Sequence, residues 1–344
     1  MVDEKSLPYT FARVSAMKSK LIKKNDYYKL LKLDPDSIIR FLQESEYKDV
    51  ITKLSVKYSG LDLLDQALRK NKVKTFVKLK KISPRNVVEI INLYLNRWDY
   101  HNLKIVLRGI YSNSTKKEVS DLIINIGNFD KKHFINLFEK NSIIDSLIYS
   151  KIVKEKEIKN AIEEFKSKNR LIELENSLDQ VYFKKAIDGT QIYGEYGKTL
   201  KDFLLRDIDI NNIKNIIRFK KEGMDKEKIL NMMIYSGKKL SKKNLEKIIS
   251  QNTLKGVLDE LKKTYYAKYI DFNDEEKIID LEIALNNYNL KFAITKSNLN
   301  PMSIEGVISF MIRKMIEVRN IRLIVKSKYF DIDEDYIEKK LLIV

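Results

Sequence analysis

The chain has 344 residues, with 66 Lys plus Arg against 48 Asp plus Glu, a formal net charge of +18 and no cysteine. The lack of cysteine excludes disulfides, thiolate nucleophiles and cysteine-ligated metal centres, and only 10 Gly and 4 Pro interrupt the sequence, which favours long helices over a turn-rich β architecture. We therefore predict an all-α protein whose positive charge either covers solvated helix faces or attracts nucleic acid, anionic headgroups or an acidic protein.

Amphipathic helical periodicity runs along the chain. In LDLLDQALRK (61–70), KNAIEEF (159–165) and NLEKIISQ (244–251), apolar residues recur at three- and four-residue spacing. One stretch, DGTQIYGEYGK from Asp188 to Lys198, holds three glycines, and we predict a loop there between two main helices. No apolar run approaches the roughly 18 residues that span a bilayer, so we predict no transmembrane helix.

A ten-residue pattern occurs three times. It begins with an acid, followed by two variable residues and an asparagine. Then come Ile or Leu, a cation, a variable residue, two aliphatic residues and a final cation. The asparagines are spaced 110 and 108 residues apart. The three copies begin at Asp99, Asp209 and Glu317, contain Asn102, Asn212 and Asn320, carry Lys104, Lys214 and Arg322 two positions later, and end at Arg108, Arg218 and Lys326.

The sequence around the pattern repeats as well. Gly127 and Gly237 follow the first two copies at the same distance, and Asp130 and Ser241 then stand where helix N-caps are expected. Further predicted helices carry Asp65, Asp179 and Asp280 at similar places. We therefore predict three similar helical repeats, approximately 1–112, 113–223 and 224–344, between which helices could be exchanged.

Helical geometry separates the pattern into two faces. At about 100° per residue, the acid and the asparagine fall among the aliphatic residues, whereas both cations fall on the opposite side. A buried acid and amide need hydrogen-bond partners, so we expect each pair to bind a neighbouring backbone segment. Alternatively, Asp99 and Asp209 cap new helices, or the pairs contact a partner protein. We expect the cations to reach solvent or a partner.

The sequence indicates no catalytic, cofactor or metal site. His101 and His133 show no metal-ligand spacing and are expected at packing or surface positions. The Gly197-Lys198-Thr199 triplet lacks the first glycine of a phosphate-binding loop, because Ile192 stands in its place. Basic and aromatic residues interleave in KKTYYAKY (262–269), which keeps a nucleic-acid-binding helical repeat protein as the alternative function.

Several segments carry a family resemblance in order along the whole chain. PYTFARVSAMKSKLI, YYKLLKL and FLQESEY, followed by WDYHNLKIVLRG, SLDQVYF, DIDINNIKNIIR and IRKMIEVRNIRLI, resemble the family of C subunits of archaeal-type ATP synthases, which is similar to the d subunits of the vacuolar proton pump. The chain departs from the family where SAM follows ARV, at a position where a basic residue is more familiar, and in the glycine-containing stretch Gly189 to Gly197.

The resemblance implies a fold and a role. It implies three similar helical domains around a pseudo-threefold axis, forming a funnel with a central cavity. The wide opening of the funnel would receive the central shaft, and its narrow side would rest on the cytoplasmic face of the membrane's ion-carrying ring. The protein would transmit torque without making or breaking a bond, would contact the membrane surface peripherally, and would need no cofactor. Our candidate structural or interface residues are Arg13, Glu44, Tyr47, Asp99, Asn102, Arg108, Asp209, Asn212, Arg218, Glu317, Asn320 and Arg322.

Overall fold

The computed structural model describes residues 6–272, 278–298 and 303–343, and these residues form helices and no strand. The all-α prediction is confirmed. In chain order the α-helices are α1 (Leu7–Lys18), α2 (Lys24–Lys32), α3 (Pro35–Gln43), α4 (Lys48–Leu54), α5 (Gly60–Ile82), α6 (Arg85–Leu95), α7 (Arg97–Tyr111), α8 (Lys116–Leu122), α9 (Lys131–Phe138), α10 (Ile143–Tyr149), α11 (Glu155–Lys168), α12 (Ile172–Gln191), α13 (Glu195–Lys221), α14 (Lys226–Asn231), α15 (Lys242–Ile249), α16 (Leu254–Leu261), α17 (Ile278–Asn298), α18 (Ile304–Tyr329) and α19 (Glu334–Lys340). A 3-10 helix, Tyr265–Lys268, follows α16.

The chain forms two compact units. Unit 1 contains the chain up to Val88 and from Leu290 onward, and unit 2 contains Glu89–Asn289. In the part of the chain that the structure describes, no helix is both long and apolar enough to cross a membrane.

Unit 1 is built around α18, which packs against α5 and against the short helices α1, α2 and α3. Its core holds fully buried aliphatic side chains, among them Leu30, Ile38, Leu42, Ile321 and Ile324. Each such side chain contributes about 1.5–3 kcal/mol by leaving water. The N-terminal helices are therefore held to a C-terminal helix by the hydrophobic effect.

Unit 2 is built around two long helices, α12 and α13, which pack along one another, with α11 beside α12 and α7 beside α9. The predicted caps are present. The Asp130 carboxylate accepts from the His133 N–H at 2.8 Å, and the Ser241 hydroxyl accepts from the Asn244 N–H at 3.2 Å. These side chains satisfy N–H groups that the first turns of α9 and α15 leave without a helical partner.

The predicted loop from Asp188 to Lys198 is wrong in extent. Helix α12 continues to Gln191 and α13 begins at Glu195, so only three residues, 192–194, form a turn. Gly194 has φ +52° there, a left-handed conformation that glycine adopts without steric cost. The other two glycines of the stretch are helical, because tertiary packing overrides their weak helix propensity.

Helices α7, α13 and α18 end in the same C-terminal cap. In each, a residue with positive φ follows the helix, namely Asn113 (φ 53°), Gly223 (φ 69°) and Asp331 (φ 50°). The next N–H returns to a carbonyl five residues earlier, in the pairs Ser114–Gly109 (2.8 Å), Met224–Phe219 (2.9 Å) and Ile332–Ser327 (2.9 Å). The cap satisfies backbone carbonyls at the helix end, and it recurs at the same distance from each repeated asparagine.

Candidate functional site

The three repeated asparagines make the same pair of hydrogen bonds. Each is buried, and each amide both donates to the carbonyl and accepts from the N–H of the residue 22 positions later. We call this arrangement the asparagine clamp. Its donor and acceptor distances are 2.8 and 3.0 Å for Asn102 with Ile124, 2.8 and 3.0 Å for Asn212 with Ile234, and 2.9 and 3.2 Å for Asn320 with Leu342.

The first two acids bind backbone N–H groups farther along the chain. The Asp99 carboxylate accepts from Asn128 at 2.8 Å and from Phe129 at 3.3 Å. The Asp209 carboxylate likewise accepts from Lys239 at 2.7 Å and from Leu240 at 3.3 Å. Acid and amide together thus fix α7 to the segment that leads into α9, and α13 to the segment that leads into α15.

Two glycines make this close approach possible. A Cβ atom at Gly127 would lie 2.1 Å from an oxygen of Asp99, and one at Gly237 would lie 1.8 Å from an oxygen of Asp209. Real Cβ atoms do not approach so closely, so a side chain at either position would displace the buried carboxylate. The glycines that repeat in the sequence are therefore part of the same arrangement.

The third acid, Glu317, finds its partners near the N-terminus. Its carboxylate accepts from the Ile22 N–H at 2.7 Å and from the Tyr47 hydroxyl at 2.7 Å. Residues of the first predicted repeat thus bind a residue of the third, as an exchange of helices between repeats would produce.

Tyr47 has a counterpart in unit 2. Tyr266 donates its hydroxyl to Asp209 at 2.7 Å, and both tyrosines are fully buried. Each stands 12 residues after the first residue of a short helix, α3 for Tyr47 and α16 for Tyr266. The segment α2–α3–Tyr47 therefore has the same role beside α18 that α15–α16–Tyr266 has beside α13.

Burial governs the electrostatics of these pairs. Desolvation raises the pKa of Asp209 above its ordinary value, although the Tyr266 hydroxyl and the backbone N–H groups act in the opposite direction. The pKa of Tyr47 is raised by its burial and by the nearby Glu317 carboxylate. Glu317 also forms an ion pair with Lys314 at 2.5 Å, and both side chains are nearly inaccessible to solvent. Removing either side chain of such a pair leaves the other charge buried without a countercharge, which strongly destabilises the folded state.

The first cation of each copy of the pattern contacts a neighbouring helix rather than extending freely into solvent. Lys104 binds Asp179 of α12 at 2.6 Å, and Arg322 binds Asp65 of α5 at 2.8 Å. Lys214 donates to Asn286 of α17 at 3.2 Å. The face predicted to be outward is covered by a second long helix, so these cations stabilise helix pairing inside each unit. Two of the three landmark aspartates of the sequence are their partners.

The remaining candidates lie at the surface. Arg108 is exposed, yet its guanidinium forms a bidentate pair with Glu175 at 2.5 and 2.6 Å. Arg218 is exposed, Glu44 is exposed at the end of α3, and the exposed Arg13 lies with its guanidinium carbon 5.9 Å from the ring centroid of Tyr9. An interface role for these four residues stays a prediction.

The histidines occupy packing and surface positions. The His133 ring stacks on Phe129 with centroids 4.4 Å apart, and its Nε2 lies 2.9 Å from the Ser150 carbonyl oxygen. His101 is exposed and meets the Trp98 ring edge-on. Among the residues that the structure describes, no group of three His, Asp or Glu side chains is placed to hold a metal ion.

Three participants were missed by sequence reasoning. Ile22, Lys314 and Tyr266 complete the buried sites. Ile22 contributes its backbone N–H, which the residue type does not reveal. Tyr266 lies in KKTYYAKY, a stretch whose basic and aromatic pattern suggested a binding surface instead. A signal for the tyrosines did exist, because each follows the start of a short helix by 12 residues.

Comparison with known proteins gives matches over nearly the whole chain. A sequence model of the ATP synthase (C/AC39) subunit family matches residues 10–340. The C subunit of the A-type ATP synthase of Methanococcoides burtonii is 31% identical over 343 residues, covering 97% of this chain and 94% of that protein. The C subunit of Methanosarcina acetivorans is 32% identical over 350 residues, covering 98% of this chain and 92% of that protein. The C subunit of Haloferax volcanii is 29% identical over 342 residues, covering 98% of this chain and 97% of that protein.

Proposed function

The chain belongs to the ATP synthase (C/AC39) subunit family, and we propose that it is the C subunit of a rotary A-type ATP synthase, a non-catalytic socket that couples the central shaft to the membrane's ion-carrying ring. Ion flow turns the ring, the socket turns with it, and the shaft passes the rotation to the catalytic head. During ATP hydrolysis the rotation passes in the opposite direction. The reaction itself takes place on other subunits, so this chain needs no cofactor and no small-molecule substrate.

The observation that carries the proposal is the asparagine clamp, present three times. A part that transmits torque must resist shear between its helices. Sliding α7, α13 or α18 past the clamped segment would break two hydrogen bonds and leave buried N–H and C=O groups without partners. Each such group costs about 1–3 kcal/mol, so the restoring force rises within a fraction of an ångström. Rigidity is thereby built into each repeat.

The three clamps also support a threefold architecture. Three copies of one helix end, one clamp and one buried acid are what three similar domains would contain, and we propose that they surround a pseudo-threefold axis and form a funnel with a central cavity. The domains would correspond approximately to 1–112, 113–223 and 224–344, with the N-terminal helices α2 and α3 exchanged into the third. The binding of Ile22 and Tyr47 to Glu317 supports this exchange.

Partners and location follow from the proposed role. The protein would sit at the cytoplasmic face of the membrane, between the shaft subunits and the ring, with peripheral contact to the membrane surface. The net charge of +18 suits acidic partner surfaces or anionic headgroups beside the ring. High salt should then weaken the attachment without abolishing apolar contacts.

Co-purification tests the proposal against the alternative. The chain, tagged and expressed with the other subunits, should be recovered with the membrane-bound ATP synthase and should persist through moderate salt washes. A chain that is recovered without any other part of the ATP synthase, and that instead shifts DNA or RNA with a steep salt dependence, would contradict the proposal and support a nucleic-acid-binding protein.

A further inference from the structure

The cap that ends α7, α13 and α18 carries different residues in its three copies. The residues before and after the left-handed position are Ser112 and Ser114 in the first cap, Glu222 and Met224 in the second, and Phe330 and Ile332 in the third. Met224 packs against the core of unit 2. Phe330 and Ile332 instead are 68% and 42% exposed. The first two caps expose no large apolar side chain at these two positions, so the fold of the turn does not require Phe330 and Ile332 to be apolar.

The exposed apolar residues extend beyond the turn. Tyr329 and Tyr336 are also exposed, so four large apolar side chains lie at the surface within eight residues, which we call the 329–336 patch. Scattered apolar residues are ordinary on protein surfaces, whereas a local concentration of them marks an interaction site. Aromatic residues in particular are enriched where a few contacts supply most of the binding free energy.

The charge of the patch is opposite to that of the chain. Residues 329–338 contain five acids and no Lys or Arg, in a protein whose net charge is +18, although the ammonium of Lys340, just beyond the segment, lies 4.9 Å from the ring centroid of Tyr336. Glu334 is engaged by Lys32 and Lys328 within unit 1. Asp331, Asp333 and Asp335 are exposed beside the apolar side chains. This arrangement repels anionic headgroups and complements a basic surface.

We propose that the 329–336 patch is a docking surface for a basic amphipathic segment of a partner protein. The apolar side chains of that segment would cover Phe330 and Ile332, and its Lys or Arg side chains would meet Asp331, Asp333 and Asp335. The inference rests on the proposed function in one respect, namely that the partner is another subunit of the same rotary complex.

Photo-crosslinking in the assembled complex tests the inference. The photoreactive amino acid p-benzoylphenylalanine is placed at position 330 of the full chain, and the purified ATP synthase is irradiated and digested. The expected product joins position 330 to a peptide that carries basic and aliphatic residues. The matched control places the same amino acid at position 192, where Ile192 is 79% exposed and lies outside the patch. We expect a crosslink yield at least about tenfold lower there.

Two variants separate the apolar and the charged contributions. The double variant Phe330→Ser, Ile332→Thr should weaken retention of the chain in the complex by about tenfold, the typical effect of losing one dominant contact. The triple variant Asp331→Asn, Asp333→Asn, Asp335→Asn should weaken it and flatten its salt dependence. Asparagine tolerates the positive φ of residue 331 and caps α19 as Asp333 does, so the fold is retained. Ile192→Ser should leave retention unchanged.

The outcomes separate two failures. If the chain joins the complex but position 330 crosslinks to lipid, to an acidic segment or to nothing, the docking surface is wrong and the proposed function stands. If the chain is absent from the complex, the proposed function is wrong, and the inference falls with it.

Discussion

The backbone N–H of Ile22 donates to the carboxylate of Glu317 at 2.7 Å, although 295 positions separate the two residues in the sequence. Near the two ends of the chain, α2–α3 and α18 thus form one buried polar site, shared with Tyr47 and Lys314. In unit 2, the corresponding acids bind backbone N–H groups only 29 to 31 positions later. The same kind of bond, from a backbone N–H to a buried carboxylate, therefore comes from a nearby segment of the chain in two copies and from a distant one in the third.

Loss of one asparagine clamp should loosen the segment that it holds. In Asn212→Ala, the N–H and C=O of Ile234 lose their partners, so we expect a destabilisation of about 2–4 kcal/mol, from two buried groups at about 1–3 kcal/mol each less local relaxation. Hydrogen exchange measured by NMR or mass spectrometry should show that the Ile234 amide loses protection. Asn231→Ala, at an exposed position of the preceding helix, is the control. Equal protection of Ile234 in both variants would contradict the role of the clamp.

Gly237 should tolerate no side chain. A Cβ atom there would lie 1.8 Å from the Asp209 carboxylate, so Gly237→Ala must displace the acid from the Lys239 and Leu240 N–H groups. We expect a loss of about 1–3 kcal/mol in the free energy of unfolding, the usual range for overpacking. Gly256→Ala is the matched control, because its nearest contacts lie at 3.2 Å and α16 gains helix propensity. Thermal unfolding of both variants makes the comparison, and similar losses would show that the acid does not require the glycine.

The buried ion pair of unit 1 gives a strong coupling. Glu317→Gln leaves the buried Lys314 ammonium without its countercharge, and we expect a cost of about 3–5 kcal/mol. Removing both charges, in Lys314→Met with Glu317→Gln, should recover a large part of that loss. Urea unfolding of the two single variants and the double variant forms a double-mutant cycle. Additive losses would mean that the two side chains act independently.

Lys72 should make stability depend on alkaline pH. Burial and the nearby Arg322 and Arg69 guanidinium groups lower the pKa of Lys72 from 10.5 to about 8. Above pH 8 the unfolded chain binds more protons than the folded chain, so the free energy of unfolding should rise between about pH 8 and 10.5 through this group. Below pH 8 the burial penalty is fully present, and Lys72→Met should remove it.

The measurement is the difference in free energy of unfolding between wild type and Lys72→Met at about pH 7, 9 and 10.5. We expect the variant to be more stable by about 1–3 kcal/mol at pH 7 and the advantage to shrink as pH rises. Lys70→Met, at an exposed position two residues earlier in α5, controls for the loss of a lysine. An advantage that does not change with pH would contradict a lowered pKa.

Much of the architecture was predictable because it depends on local periodicity. The helical spacing of apolar residues predicts the helices, and the angular position of Asp99 and Asn102 among aliphatic residues predicts that both are buried and bind backbone. The bond from Ile22 to Glu317 was not predictable, because a backbone donor has no residue signature and its distance in sequence differs from that of the other two copies. The loop prediction for 188–198 was wrong in extent, because glycine propensity alone does not account for the tertiary packing that keeps Gly189 and Gly197 in helices.

The cations show a further limit of sequence reasoning. The helical wheel places Lys104 and Arg322 opposite the apolar face, which is correct, but a wheel cannot show that another helix covers that side. The presence of Asp179 and Asp65 in the repeated landmarks was the available signal. Each cation and its aspartate lie on different helices, and only the folded structure pairs them.

The most direct test of the central claim is ATP-driven ion pumping by a complex that lacks this chain. Complexes prepared without it, reconstituted into vesicles, should still hydrolyse ATP at the catalytic head but should pump no ions, and adding back the wild-type chain should restore pumping. Pumping that proceeds equally well without the chain, or the loss of ATP hydrolysis from complexes prepared without it, would contradict the proposed role as a rigid, non-catalytic coupling part.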